Sequence, residues 1–299
     1  MRTKRLYVTM LAVIILLVVT QAQSPFTTEP ERLKTPEEAL ALSRMVKNFL
    51  KERYGLTPTE NNTKWVDVYE KELFVFITAV PAFTLYRHFG LAELLDFRCV
   101  HGVSLESCKQ RGQEDAEELQ KLGLVTYFRV EPQAAASDIQ LSQYDIDRDL
   151  YELINRFLMH EDLHFHLDME SGVEESFAMF LSALFTYEFC SEKRWPRCTK
   201  AALDGLDKLL EKAIYHRALY AAIRSYWNLT TSSEEKRLIW PNFNEAQHTE
   251  WSSYIFYVPS LFRLWRENGG DIKRTFSAIK QMDGLSEEEI ARRLGVELQ

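Results

Sequence analysis

Residues His160-Glu161-Asp162-Leu163-His164 carry the spacing H-E-x-x-H. On a helix, positions four apart lie one turn above each other, so two imidazoles project from one face. Two such imidazoles can grip one Zn²⁺ while the intervening Glu161 leans toward an open coordination position. Zinc acidifies water toward neutral pH, and a carboxylate beside it can take the proton. The leading expectation is therefore a metallohydrolase.

A helix that performs this task needs an apolar stripe to seat it. Leu150, Leu153, Ile154, Phe157 and Leu158 supply one immediately ahead of the pentad. A third protein ligand has to come from elsewhere. Three and six residues past His164 stand Leu167 and Glu170, so the Gly and His of the metzincin continuation are absent. The next apolar helix, expected over residues 173–189, opens with Glu174 and Glu175. Helical spacing puts Glu174 over Phe177, Ala178 and Leu181, and Glu175 over Ala178, Met179 and Ser182. The smaller neighbours of Glu175 favour it slightly, but periodicity leaves both open. His166 is off the face of His164, and Asp168, one turn past it, is a candidate hydrogen-bond partner for a ligand imidazole. His88, His101 and His216 stand isolated and read as structural.

The remaining elements read as a string of helices. They are expected near residues 36–54, in one or two buried helices within the apolar stretch 65–97, and over 114–122. A long one runs from about 145 to 166, and others span 201–227, 253–267, 271–281 and 286–294. Leu124 to Val130 is β-branched and aromatic and reads as a strand, with Pro132 following. Gly172 is expected to separate the pentad helix from its successor. The fold class is mainly α, with a small β element ahead of the pentad helix.

Arg2, Lys4 and Arg5 precede an apolar run and then Thr20-Gln21-Ala22. That is the pattern of a signal peptide over residues 1–22. Its apolar part, within residues 6–20, is short of the roughly 20 residues of a membrane span, and an uncleaved membrane anchor is the alternative. Either way the body is expected to be exported. Residues 23–35 are rich in Pro, Thr and Glu and read as an exposed linker, leaving 36–299 as one helical domain. In an oxidising compartment the four cysteines pair most simply as Cys99 with Cys108 and Cys190 with Cys198. Asn61-Asn62-Thr63 and Asn228-Leu229-Thr230 are glycosylation sequons. A net charge of -8 over 299 residues argues against nucleic acid as the main partner.

The pentad followed by Glu175-Ser176-Phe177-Ala178 resembles the bacterial aminopeptidases of the gluzincin type, whose pattern is H-E-L-A-H and then N-E-S-F-A. Gly123 to Val130 with Ala134 to Ser137, and Tyr254 to Trp265 with Gly269 to Asp271, are similar to that family before and after the pentad. The likeness spans roughly residues 95–295. It implies a gluzincin-like metallopeptidase domain, with Zn²⁺ on His160, His164 and Glu175, and a peptide substrate. It implies Glu161 as general base, the strand 125–130 pairing with an extended peptide, and Tyr254 or Tyr257 as oxyanion donor. Glu174 replaces the family's Asn, and a free-amine anchor is a candidate role for it. A rival expectation is a di-iron helical bundle, with Glu161-x-x-His164 and Glu245-x-x-His248 as its two metal motifs. A third is an exported peptidase-like binding protein without turnover.

Overall fold

The computed structural model describes residues 26, 28–66, 73–86, 93–98, 104–132, 139–229, 232–239 and 243–298. The expected signal peptide or anchor, together with His88, Cys99 and His101, lies outside them. Among the described residues no helix is long and apolar enough to cross a membrane.

The protein is mainly helical. Helix α1 (Pro36–Tyr54) starts where Thr35 accepts from the Glu38 amide at 3.2 Å, with Pro36 at its first position. It ends at Gly55, whose φ of 72° is the left-handed conformation that favours glycine. Its face of Leu42, Val46, Phe49 and Leu50 is buried. The centre of the molecule is α5 (Ser171–Glu192), in which Phe177, Phe180, Leu181, Leu184, Phe185 and Phe189 are all fully buried. A short turn, stapled by the Cys190–Cys198 disulfide, leads from α5 into α6 (Pro196–Leu229). Cys108 is disulfide-bonded as well.

The segment expected as an exposed linker is instead docked where it is described. Glu29 accepts from the amides of Arg197 and Cys198 at 3.0 and 2.7 Å, capping the start of α6. Leu33 is buried, and Phe26 packs edge-on against Trp195.

The apolar stretch 65–97 contains strands rather than the expected helices. β1 (Leu73–Pro81) pairs antiparallel with β2 (Glu93–Arg98) and with β3 (Leu124–Pro132), in the order β2-β1-β3. β1 is covered on both faces, which erases the period-two alternation that marks a half-exposed strand. On one face Val75 and Ile77 meet α2 (Leu105–Lys121) through Cys108 and Ala116. Gly112 permits that approach, since a Cβ there would lie 2.7 Å from Val75 Cγ1. On the other face Phe76, Thr78 and Arg129 look toward α8 (Glu245–Ile255).

The expected long helix 145–166 is divided. α3 (Gln143–Ile146) is followed by α4, which begins at Leu150–Glu152 after Asp149 accepts from the Glu152 amide at 2.8 Å. α4 continues as a π-helical stretch, Leu153–His160, and closes with Glu161–Leu163. Gly172 lies inside the first turn of α5, and the chain breaks earlier, over residues 164–170. α7 (Ser233–Ile239) precedes α8. The expected helix 253–267 is split between α8 and α9 (Val258–Glu267), because Pro259 has no N–H to continue the ladder. α10 (Ile272–Lys280) and α11 (Glu287–Arg293) follow close to expectation.

Candidate metal centre

His160 ends the π-helical stretch of α4, and His164 follows one turn later. π-Helical turns inside α-helices recur at functional sites. The two rings stand 4.7 Å apart at 88°, with Nε2 atoms 3.2 Å from each other. Glu175 reaches them from the first turns of α5. Its Oε2 lies 3.2 Å from His160 Nε2 and 3.7 Å from His164 Nε2. A tetrahedral ion with bonds of 2.0–2.1 Å has ligand atoms about 3.3 Å apart. The three edges are therefore the size a divalent cation requires. Glu175 Oε2 is buried without a well-aligned hydrogen bond, although both imidazole nitrogens face it. A cation between the three atoms would satisfy it. Among the described residues these three form the one group able to hold a metal ion.

The charges around the pair point the same way. Burial alone would lower the His164 pKa. The hydrogen bond to Glu174 and the charges of Glu175, Glu161 and Glu174 outweigh it and raise the value to about 9. Burial likewise resists ionisation of Glu175, yet contact with His160 and the charges of His160, His164 and Arg129 hold its pKa below the ordinary value. Three carboxylates converge on two imidazoles, and the cluster demands positive charge.

Glu174 occupies a place the sequence did not assign. Its Oε1 accepts from His164 Nδ1 at 2.6 Å, which leaves Nε2 to present its lone pair to a metal. Asp168, the candidate for this partner, is exposed, and its backbone meets Asp283 and Gly284 instead. A free amine, whose anchoring was considered for Glu174, would share the carboxylate with that bond.

Four contacts brace α4, two to the Asp162 side chain and two to backbone carbonyls. Asp162 accepts from Lys47 of α1 at 2.6 Å and from Thr59 at 2.6 Å. Asn62 donates to the Phe157 carbonyl at 2.7 Å, and Asn61 to the Glu161 carbonyl at 3.4 Å. Both asparagines are 1% exposed, so the first sequon is a structural bracket rather than an acceptor for sugar. Asn228 of the second is exposed at the end of α6.

A second polar cluster joins the sheet to α8. Arg129 donates through Nε to Glu250 Oε1 at 2.6 Å and through Nη2 to the Tyr254 hydroxyl at 2.9 Å. Thr78 donates to the other oxygen of Glu250. α8 in turn lies against α5, where Ser176 donates to the Ser253 carbonyl at 2.6 Å. Of the two tyrosines, Tyr254 is held by Arg129. Tyr257 is fully buried and donates to Glu287 at 2.6 Å, so its role is packing.

The other histidines lie apart. His166 is half-buried beside Thr57, and burial lowers its pKa. Glu245 accepts from the Phe83 amide at 3.0 Å at the start of α8, while His248 stacks on His216 at 5.7 Å. This second E-x-x-H therefore contributes nothing to the cluster. No family model, curated protein or solved structure matches this chain.

Proposed function

We propose that this chain is an exported zinc-dependent peptidase with a gluzincin-like catalytic domain, as its resemblance to the bacterial aminopeptidases implies. The observation that carries the proposal is the triangle of His160 Nε2, His164 Nε2 and Glu175 Oε2 at tetrahedral spacing, with Glu161 beside it. Two imidazoles and one carboxylate are a common protein donor set for catalytic zinc. When bound, the ion supplies Lewis acidity to a water and to a carbonyl.

The chain's own residues do the rest. Glu161 takes a proton from the attacking water and returns it to the leaving amine. Glu174 keeps a proton on His164 Nδ1, fixing the ring in the ligating tautomer. β3 is an edge strand, paired with β1 alone among the described residues, and an extended peptide would add to its outer side. The N-terminal apolar run would direct export, either cleaved or as an anchor. The alternative di-iron reading finds no support in the placement of Glu245 and His248.

The test is Glu161→Gln in purified protein incubated with a peptide library, with and without chelator. Zinc should stay bound at one per chain while cleavage is abolished. Full turnover by the variant would remove Glu161 as the base, and two irons per chain would replace the hydrolase with an oxidoreductase.

A further inference from the structure

We propose that Arg129, clamped by Glu250 and Tyr254, stabilises the oxyanion formed at the scissile carbonyl. This rests on the peptidase reading above and adds a residue and a role to it.

The placement begins in the sheet. Arg129 lies opposite Phe76 in the β1–β3 register, and its guanidinium sits 4.7 Å over the Phe76 ring. The centre of the Tyr254 ring lies 5.9 Å from it. Two hydrogen bonds then fix its plane: Nε to Glu250 and Nη2 to the Tyr254 hydroxyl. Glu250 is itself pinned by Thr78, and its side chain is 4% exposed. A guanidinium held from ring faces and edge at once is a rigid donor, and rigidity before reaction is what electrostatic catalysis needs. The Arg129 side chain remains 23% exposed, and its partner Tyr254 follows Ser253, whose carbonyl accepts from Ser176, the neighbour of Glu175.

Two other uses of this arginine fit less well. A substrate α-carboxylate would enter a pocket where Glu161, Glu174, Glu175 and Glu250 outnumber the guanidinium and one dication, and would compete with Glu250 for it. A purely structural pair would be as well satisfied in full burial, whereas this side chain keeps part of its surface exposed. An oxyanion creates its charge only as the reaction proceeds, so it avoids the standing repulsion of the carboxylates.

The step balances without any oxidant or reductant. The water oxygen bonds to the carbonyl carbon, its proton goes to Glu161, and the C=O π pair moves onto oxygen, facing Arg129. Return of that pair breaks the C–N bond, and Glu161 delivers its proton to the departing nitrogen.

The experiment compares wild type, Arg129→Gln, Arg129→Lys and Tyr254→Phe as zinc-loaded full-length protein. Zinc content and melting temperature are measured first. The readouts are kcat and KM on a cleaved peptide, and affinity for a phosphinic peptide that mimics the tetrahedral state. For Arg129→Gln, kcat should fall by about 100- to 1,000-fold, the usual loss for one oxyanion donor. KM should stay within about threefold, and phosphinic-peptide affinity should fall in step with kcat. Arg129→Lys keeps the charge beside Glu250 but loses the planar fork, and should lose at least about tenfold in kcat at wild-type melting temperature. It decides the matter if Arg129→Gln does not fold. Unchanged kcat in either folded arginine variant, or a rise in KM alone, overturns the proposal. If wild type itself neither cleaves peptides nor binds the phosphinic compound, the peptidase reading falls and this role with it.

Discussion

At the scale of the residue, the bond from His164 Nδ1 to Glu174 sets the electronic character of the centre. An anionic acceptor on the far nitrogen raises the basicity of the ligating one, and such outer partners typically carry 10- to 100-fold in metal affinity. Glu174→Gln keeps an acceptor oxygen in place and removes only the charge. Zinc affinity, read by competition with a chromophoric chelator, should weaken by about tenfold or more, and further for Glu174→Ala. An unchanged affinity in both variants would show the 2.6 Å contact to be incidental. The pairing of the two imidazoles was legible in the sequence from helical spacing, which left Glu174 and Glu175 both open as the carboxylate that joins them. Arg129 and Glu250 were not. They stand 121 residues apart, and single charges at such separation carry no periodic signal. Asn61 and Asn62 misled for a different reason: an N-x-T match says nothing about burial.

At the scale of the element, α4 depends on partners that precede it by about a hundred residues. Its π-helical stretch ends at His160, and the loop 59–62 with Lys47 of α1 braces the turn from Phe157 to Asp162. The Lys47–Asp162 pair is the strongest brace, since both side chains are below 10% exposure and Thr59 bridges them. Removing one member of a buried pair strands the other charge at a cost of about 3–5 kcal/mol. Lys47→Met should therefore lose about that much in urea unfolding, while Lys47→Met with Asp162→Leu should recover most of it. A single variant as stable as wild type would show the pair to be dispensable. Most helices were legible because caps and apolar stripes are local. The sheet was half legible: β3 announces itself through β-branched residues before Pro132, whereas β1 is covered by α2 on one face and α8 on the other and shows no alternation. The breaks in α4 and at Pro259 depend on a cap at Asp149 and on a proline within an otherwise continuous apolar pattern.

At the scale of the whole molecule, the centre lies where α4 meets three bodies: α1 with its loop, the α5–α6 pair, and the sheet with α8. α8 joins the last two, so its contact with α6 governs both the Arg129 cluster and global stability. That contact is aromatic. His248 of α8 stacks on Tyr220 at 5.9 Å and on His216 at 5.7 Å, both from α6, with Phe243 at 5.4 Å. Burial, with a smaller contribution from the charge of His216, lowers the His248 pKa to about 4. In the unfolded chain a histidine takes up its proton near pH 6.5. Between those values the unfolded state binds the extra proton and the folded state refuses it, so stability rises with pH across this window. Above about pH 6.5 the penalty is absent. As pH falls it grows, and it levels off below about 4 at roughly 3 kcal/mol for this one group. Urea midpoints measured from pH 4 to 7 should show this slope in wild type. His248→Phe keeps the aromatic stack and cannot titrate, so its curve should be flatter by that amount, leaving the carboxylate contribution common to both. Parallel curves for the two proteins would mean that His248 accepts its proton in the folded state, and that the α6–α8 contact is open to water.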